Sequence, residues 1–314
     1  MKRIIVVGGS AGGIAALCSL LKAIPKNFPA PILAVIHIPE EAHALAGVLQ
    51  RCCVLKVVDS TRPEPIRAGN VYIAPANRHL LVKAGCAIAV MGPRENRHRP
   101  SVDALFRSAA RSYRRAVVGV VLSGALDDGS AGAMAVKSRG GVVIVQAPGD
   151  AEVPDMPANV LRQAKADYSL NLKQIPPLLK RLVAKKSLPD LPEVSDGSCE
   201  LVTETEPVAS ENEPIAFTCP ECGGALLQIK DGKSTQLRCH VGHRYSLSSF
   251  SEAHADAVER AVWVAFRKLR ERQSLNEQLA NDHTTSPAMK KRFKESALAA
   301  AHDIKMLEEV LAGL

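Results

Sequence analysis

Continuous apolar runs alternate with amphipathic stretches through the first 183 residues. RIIVV (3–7), IAALCSLLKAI (14–24) and PILAVIH (31–37) predict a strand, an amphipathic helix and a second strand. AVVGVVL (116–122) and GVVIVQ (141–146) are further unbroken apolar, β-branched runs. Strands apolar on both sides belong to a parallel sheet covered by helices on both faces. The expected fold is therefore α/β, a doubly wound, mostly parallel sheet. Between these runs, GNVYIAPANRHLLVKAGCAIAV (69–90) reads as short antiparallel strands joined at Gly and Asn turns.

The pattern changes after residue 186. Residues 187–216 hold eight acids, four prolines and no Lys or Arg, which predicts a self-repelling, unstructured linker. Residues 217–246 form a compact Cys/His segment. From 247 the periodicity is helical, with Ala257, Ala261, Val264, Leu269, Leu275 and Leu279 on one expected stripe. NDHTTSP interrupts it, and Pro287 opens a second helix running to about 312, so an antiparallel helical hairpin follows. The expected domains are thus 1–186, an acidic linker over 187–216, a Cys/His module over 217–246 and a hairpin tail over 247–314. Trp263 and Phe266 on the first helix suit either burial or a partner.

Composition excludes several classes. No apolar run approaches the roughly 18 residues of a membrane helix, and the first run is too short for a signal peptide, so a cytoplasmic protein without membrane insertion is expected. The net charge of +8 suggests nucleic acid, but basic residues are spread along the chain and aromatics are only 4%. Neither a stacking platform nor a basic block is present, so nucleic acid is not an expected partner. Of eight cysteines, Cys18, Cys52, Cys53 and Cys86 lie in apolar or mixed segments and are expected to pack as small hydrophobes, while Cys199 is isolated in the polar linker.

The Gly-rich turn VVGGSAGG (6–13) admits two readings. A dinucleotide-binding turn needs G-x-G-x-x-G and an acid ending the second strand. Ser10 replaces the second glycine, and the second strand ends at His37. The alternative, G-x-S-x-G, presents a nucleophilic Ser on a strand-to-helix turn, where the helix N-terminus suits a developing oxyanion. Gly8-Gly9-Ser10-Ala11-Gly12 fits. A nucleophilic Ser needs a base and an orienting acid. His37 ends the second strand, and Asp127 and Asp128 follow the strand ending at Leu122. All three residue types therefore converge on the carboxyl edge of one sheet.

Taken in order, GGSAGG, VIHIP, GNVYIAPANRHL, NRHRPSVDALF, LSGALDDGSAG and the DMP of PDMPANVL strongly resemble the CheB-type chemotaxis protein-glutamate methylesterases over residues 3–175. The resemblance implies a Ser-His-Asp hydrolase of glutamyl methyl esters on chemoreceptor helices that often also deamidates receptor glutamines. It implies Ser10 as nucleophile, His37 as base and Asp128, in preference to Asp127, as orienting acid. No catalytic cofactor is implied; the implied partners are methylated chemoreceptor-type proteins, with a receptor methyltransferase in the same pathway. Oxyanion donors are expected among the amides of Ala11 and the 124–126 turn, Ala125 included. Ala125 stands where the best-known members have Met, which implies a roomier pocket. Arg97 and Arg99 are expected either to meet an acidic receptor surface or to order their loop, and to lower the basicity of His98. His79 is expected to cap a turn. The best-known members carry an N-terminal receiver domain; a chain opening at the catalytic strand is expected to be constitutive or controlled through its C-terminal extension. The rival function is a scaffold that binds a receptor or signalling protein without turnover; a nucleotide-binding protein is disfavoured by Ser10 and His37.

CPECGG (219–224) and CHVGH (239–243) give C-x2-C, sixteen residues, then C-x3-H, the spacing of two metal knuckles on a β-ribbon. Cys219, Cys222, Cys239 and His243 are the expected ligands of a structural Zn²⁺, with His240 competing for the fourth place.

Overall fold

The computed structural model describes residues 3–39, 45–184, 199, 214–231 and 234–313. The expected acidic linker lies almost wholly outside these residues.

Seven strands form a wholly parallel sheet: β1 (Ile4–Gly9), β2 (Ile32–Ile36), β3 (Lys56–Asp59), β5 (Asn70–Ile73), β8 (Val117–Val121), β9 (Val142–Gln146) and β10 (Tyr168–Leu170). Their order is β10-β9-β8-β1-β2-β5-β3. Because successive side chains alternate across a strand, the apolar runs feed two cores at once. Ile4 and Val6 face α3 (Val102–Tyr113), α4 (Ser130–Ser138) and α5 (Asp155–Gln163) through Phe106, Val136 and Val160. Ile5 and Val7 face α1 (Gly13–Lys22), α2 (Leu45–Cys52) and α6 (Ile175–Ala184) through Leu17, Leu49 and Leu179. Each fully buried Leu or Phe contributes about 1.5–3 kcal/mol.

The 69–90 segment divides. Only β6 (His79–Lys83) and β7 (Cys86–Val90) form the expected antiparallel hairpin, with the short strand β4 (Glu64–Pro65) beside β7. β5 instead pairs in parallel with β2 and β3. Three of the four expected packing cysteines are also corrected; of these four, only Cys53 keeps a free thiol. Cys18 is joined to Cys52 and Cys86 to Cys199 by disulfides. The first pair is 34 residues apart in sequence, and packing of α1 on α2 brings its Cα atoms to 5.3 Å.

A four-stranded antiparallel ribbon follows, made of β11 (Pro214–Thr218), β12 (Ala225–Asp231), β13 (Ser234–Cys239) and β14 (Arg244–Tyr245) in sequence order. It belongs to one compact unit with the parallel sheet, extending to Phe250.

Residues 251–314 form a second unit, built from α7 (Leu247–Asn281) beyond Phe250 and α8 (Pro287–Gly313). The helices lie antiparallel, as Asn276 donating to Ser296 at 3.1 Å and Arg270 pairing with Glu308 at 3.4 Å show. The expected stripe is only partly right. Ala261, Val264 and Leu275 are exposed, whereas Ala253, Asn276 and Ala280 are buried and Phe266, Leu269, Gln273 and Leu279 half-buried. The seam at 266, 269, 273, 276 and 280 advances by alternate threes and fours, and its polar members Gln273 and Asn276 mask that period.

Candidate active site

Strand order reverses at β1, which has β2 on one side and β8 on the other. In such sheets the ligand crevice opens above the carboxyl ends at the reversal. Ser10 follows β1 there, His37 follows β2, and residues 122–128 follow β8. The register places Gly9 opposite Ile36, so Ser10 and His37 leave the sheet side by side. Backbone bonds hold the three strand ends together: His37 N–H donates to Gly9 O at 3.1 Å and Ser10 N–H to Ser123 O at 2.9 Å. The Ser123 hydroxyl adds a strut, donating to Ala11 O at 2.7 Å and accepting from Val153 N–H at 2.9 Å. Gly124 must be small. A methyl group there would overlap Met156 Sδ and lie 2.9 Å from Ser10 Cβ.

His37 and Asp128 form the central pair. His37 Nε2 lies 2.8 Å from Asp128 Oδ2, with His37 6% and Asp128 1% exposed. His37 Nδ1 is buried and has no hydrogen-bond partner among the described residues. Asp128 also sits at the N-terminus of α3. It accepts from Val102 N–H (2.7 Å), Asp103 N–H (3.1 Å), Ser101 Oγ (2.9 Å) and Asn96 Nδ2 (3.1 Å). Burial acts to raise its pKa, but the His37 hydrogen bond, the His37 and His98 charges and the Val102 amide outweigh burial and hold the carboxyl below its ordinary range. Close packing of α3 on β1 makes this possible: any side chain at Gly8 would collide with Val102. The arrangement therefore has a fixed carboxylate, an imidazole with one open nitrogen, and a hydroxyl on the adjoining turn.

The other sequence candidates take distinct places. Asp127 turns to Ser246 and Ser248, whose hydroxyls donate to it at 2.8 and 2.6 Å. His98 stacks on His37, ring centroids 3.6 Å apart. Burial first, then the charges of His37, Arg97 and Arg94, push its pKa down to about 4. His79 is buried and bridges the 92–101 loop: Nε2–H donates to Pro93 O at 2.8 Å and Nδ1 accepts from Ser101 N–H at 3.2 Å. Arg99 orders the same loop, donating to Asn77 Oδ1 at 2.6 Å and Gly92 O at 2.8 Å. Arg97 adopts positive φ in that loop. Of the expected oxyanion donors, the Gly124 amide is already committed to Val153 O. Those of Ala11 and Ala125 donate to no group among the described residues.

Residues 5–179, more than half of the chain, match the CheB methylesterase family. The chain belongs to that family. The CheB region is 38% identical over 180 residues to a Leptospira interrogans protein provisionally named protein-glutamate methylesterase/protein-glutamine glutaminase, covering 57% of this chain and 93% of that one. It is 41% identical over 186 residues to a protein-glutamate methylesterase/protein-glutamine glutaminase from Anaeromyxobacter dehalogenans, covering 58% and 51% respectively. The chain thus spans nearly all of the first relative and about half of the second. The crystal structure of the Thermotoga maritima CheB methylesterase catalytic domain superposes with a TM-score of 0.56 at 35% identity, covering 58% of this chain and 99% of that domain. No helix among the described residues is long and apolar enough to cross a membrane.

Outside the CheB match, the ribbon brings Cys219, Cys222, Cys239 and His243 together, their ligand atoms all within 4.8 Å of one another. Cys222 and Cys239 sulfurs are 3.7 Å apart, and His243 Nδ1 is 3.4 Å from Cys239 Sγ and 3.6 Å from Cys219 Sγ. A tetrahedron with Zn–S about 2.3 Å and Zn–N about 2.0 Å has edges of about 3.7 and 3.5 Å, so the donor set fits zinc. His240, the rival ligand, is outside the cluster and lies against Gly224.

Asn96 and Ser101, which complete the surroundings of Asp128, were legible only as members of NRHRPSVDALF. Ser246 and Ser249, which reach the same loop from 150 residues away, carry no sequence signal.

Proposed function

We propose that this chain is a protein-glutamate methylesterase in which Ser10 is the nucleophile, His37 the base and Asp128 the orienting acid. The observation that carries the reading is the His37–Asp128 bond. With Nε2 held by Asp128, the unpartnered Nδ1 is the nitrogen left for the Ser10 proton. Ser10 Oγ attacks the glutamyl ester carbonyl as its proton passes to Nδ1. The C–OCH₃ bond breaks, and methanol leaves with that proton. Water then attacks the acyl-serine by the same route, releasing the glutamate carboxylate and restoring Ser10. With a glutamine substrate, ammonia leaves in place of methanol. Asp128 fixes the tautomer and favours the imidazolium. Ala11 and Ala125 supply amides for the oxyanion.

The partners in this reading are methylated chemoreceptor-type proteins in the cytoplasm, with a receptor methyltransferase as the opposing enzyme. The reaction itself uses no cofactor. The Cys219, Cys222, Cys239 and His243 cluster holds a structural Zn²⁺, closed to substrate by its four protein ligands. The test is methanol release from methyl-labelled receptor cytoplasmic fragments by wild type and Ser10→Ala. Release by wild type alone supports the reading. No release by folded wild-type protein from any methylated receptor fragment overturns it.

A further inference from the structure

The Cys/His module touches the catalytic machinery through one buried side chain. Asn96, 2% exposed, has its four hydrogen-bonding positions divided between two parts of the fold. Its Oδ1 accepts from Ser246 N–H at 2.9 Å and Ser249 Oγ at 3.0 Å, both just beyond the ribbon. Its Nδ2 donates to Asp128 Oδ1 at 3.1 Å and Asp103 Oδ2 at 2.9 Å. The two donors after the ribbon therefore select the amide orientation. With Ser246 and Ser249 facing Oδ1, both Nδ2 protons point at the carboxylates; a flipped amide would set NH₂ against N–H.

The same segment is tied to the metal cluster. His243 directly precedes Arg244, which pairs with the 92–101 loop as a strand would: Asn96 N–H donates to Arg244 O at 2.8 Å and Arg244 N–H to Arg94 O at 3.3 Å. Gly242, one residue before His243, packs on Pro93 so closely that a methyl group there would lie 3.0 Å from its ring. His243 O in turn accepts from Cys239 N–H at 3.1 Å. Ser246 and Ser248 clasp Asp127, which is 3% exposed.

We infer that the Cys/His module is a clasp for the active site, with Asn96 and Ser249 as positioning residues for Asp128 and with metal occupancy of the cluster coupled to the reactivity of Ser10. This rests on the proposed Ser-His-Asp reading. The metal orders the knuckle, the knuckle places Ser246 and Ser249, and these fix Asn96 against the carboxylate that orients His37. Loss of the clasp leaves Asp128 one donor short and free to shift, and misplacement of a catalytic group by about 1 Å costs on the order of 100-fold.

The test is the rate at which a fluorophosphonate labels Ser10 in the full-length chain, which needs no receptor substrate. Wild type with one zinc bound is compared with Ser249→Ala, Asn96→Ala, zinc-stripped wild type and Ser10→Ala, with thermal melting of each as a folding control. Ser249→Ala and zinc removal are each expected to slow labelling about tenfold or more while the protein stays folded. The acid limb of the pH–rate profile is expected to move upward in Ser249→Ala and Asn96→Ala, because Asp128 with fewer donors favours the imidazolium more strongly. In Ser249→Ala, which removes no group bonded to them, the other ionisable groups about the pair, His98, Asp103, Arg97 and Arg94, are unchanged, and a purely structural role would leave that limb in place. Labelling of Ser249→Ala and zinc-free protein at the wild-type rate overturns the clasp. If wild type is labelled no faster than Ser10→Ala, the nucleophile reading fails and the clasp fails with it.

Discussion

Asp128 Oδ2 lies 2.8 Å from His37 Nε2 while the same carboxylate caps the first turn of α3 through the Val102 and Asp103 amides. One side chain therefore both holds the His37 imidazole and caps a helix. In Asp128→Asn, an NH₂ group would face some of these donors. We expect turnover to fall about 10³- to 10⁴-fold, with about 1–2 kcal/mol of stability lost from the cap. Methanol release and urea unfolding measure the two separately; full stability with lost turnover would deny the capping role.

Acid should loosen the fold through His98 and His79. Both are held below the ordinary histidine range in the folded chain, burial being the main cause, and His98 lies near 4. Unfolded, both titrate near 6.5. Between these values the unfolded chain binds more protons, so stability is complete above about 6.5 and falls as the pH drops toward 4. We expect His98 to account for about 1–3 kcal/mol of that loss. Urea unfolding from pH 7.5 to 4.5 on wild type and His98→Gln measures it; equal slopes for the two proteins would contradict the assignment.

Gly124→Ala should damage the Ser10 turn more than the core. The new methyl would press on both Met156 and Ser10. Met156 is a flexible side chain that can be shortened, whereas Ser10 Cβ is fixed by its backbone bond to Ser123. Adding Met156→Ala to Gly124→Ala is therefore expected to relieve the Met156 contact but to leave fluorophosphonate labelling of Ser10 at least about 100-fold slow. Recovery of the labelling rate in the double variant would show that Met156 alone transmits the damage.

Cobalt should report the ribbon cluster. Three thiolates and one imidazole at tetrahedral spacing predict one metal per chain and, with Co²⁺, visible d–d bands together with sulfur-to-cobalt charge transfer. Cys222→Ser is expected to weaken binding and reduce the charge-transfer intensity, while His240→Ala should change neither. An unchanged spectrum in Cys222→Ser would remove that residue from the ligand set.

The strands around the site were legible because burial on both faces leaves unbroken apolar runs, and the residues at their ends followed: Ser10 after β1 and His37 after β2. β5 was not, since NVYI carries no local mark of parallel pairing and is placed by β2 and β3 on either side. The α7 seam was misread because Gln273 and Asn276 occupy positions that a hydrophobicity pattern assigns to apolar residues. The disulfide partners, and the contact of Asn96 with Ser246 and Ser249, depend on segments distant in sequence, and nothing local to either segment records the other.

The capping of α3 by Asp128 bears on how other members of this family should be compared. A descendant that abandoned hydrolysis and served only to hold a partner would still need a carboxylate to terminate that helix. Retention of Asp128 would therefore reflect selection on folding as much as on turnover. In the proposed Ser-His-Asp reading, Ser10 is instead the position whose replacement would mark a member that has given up catalysis.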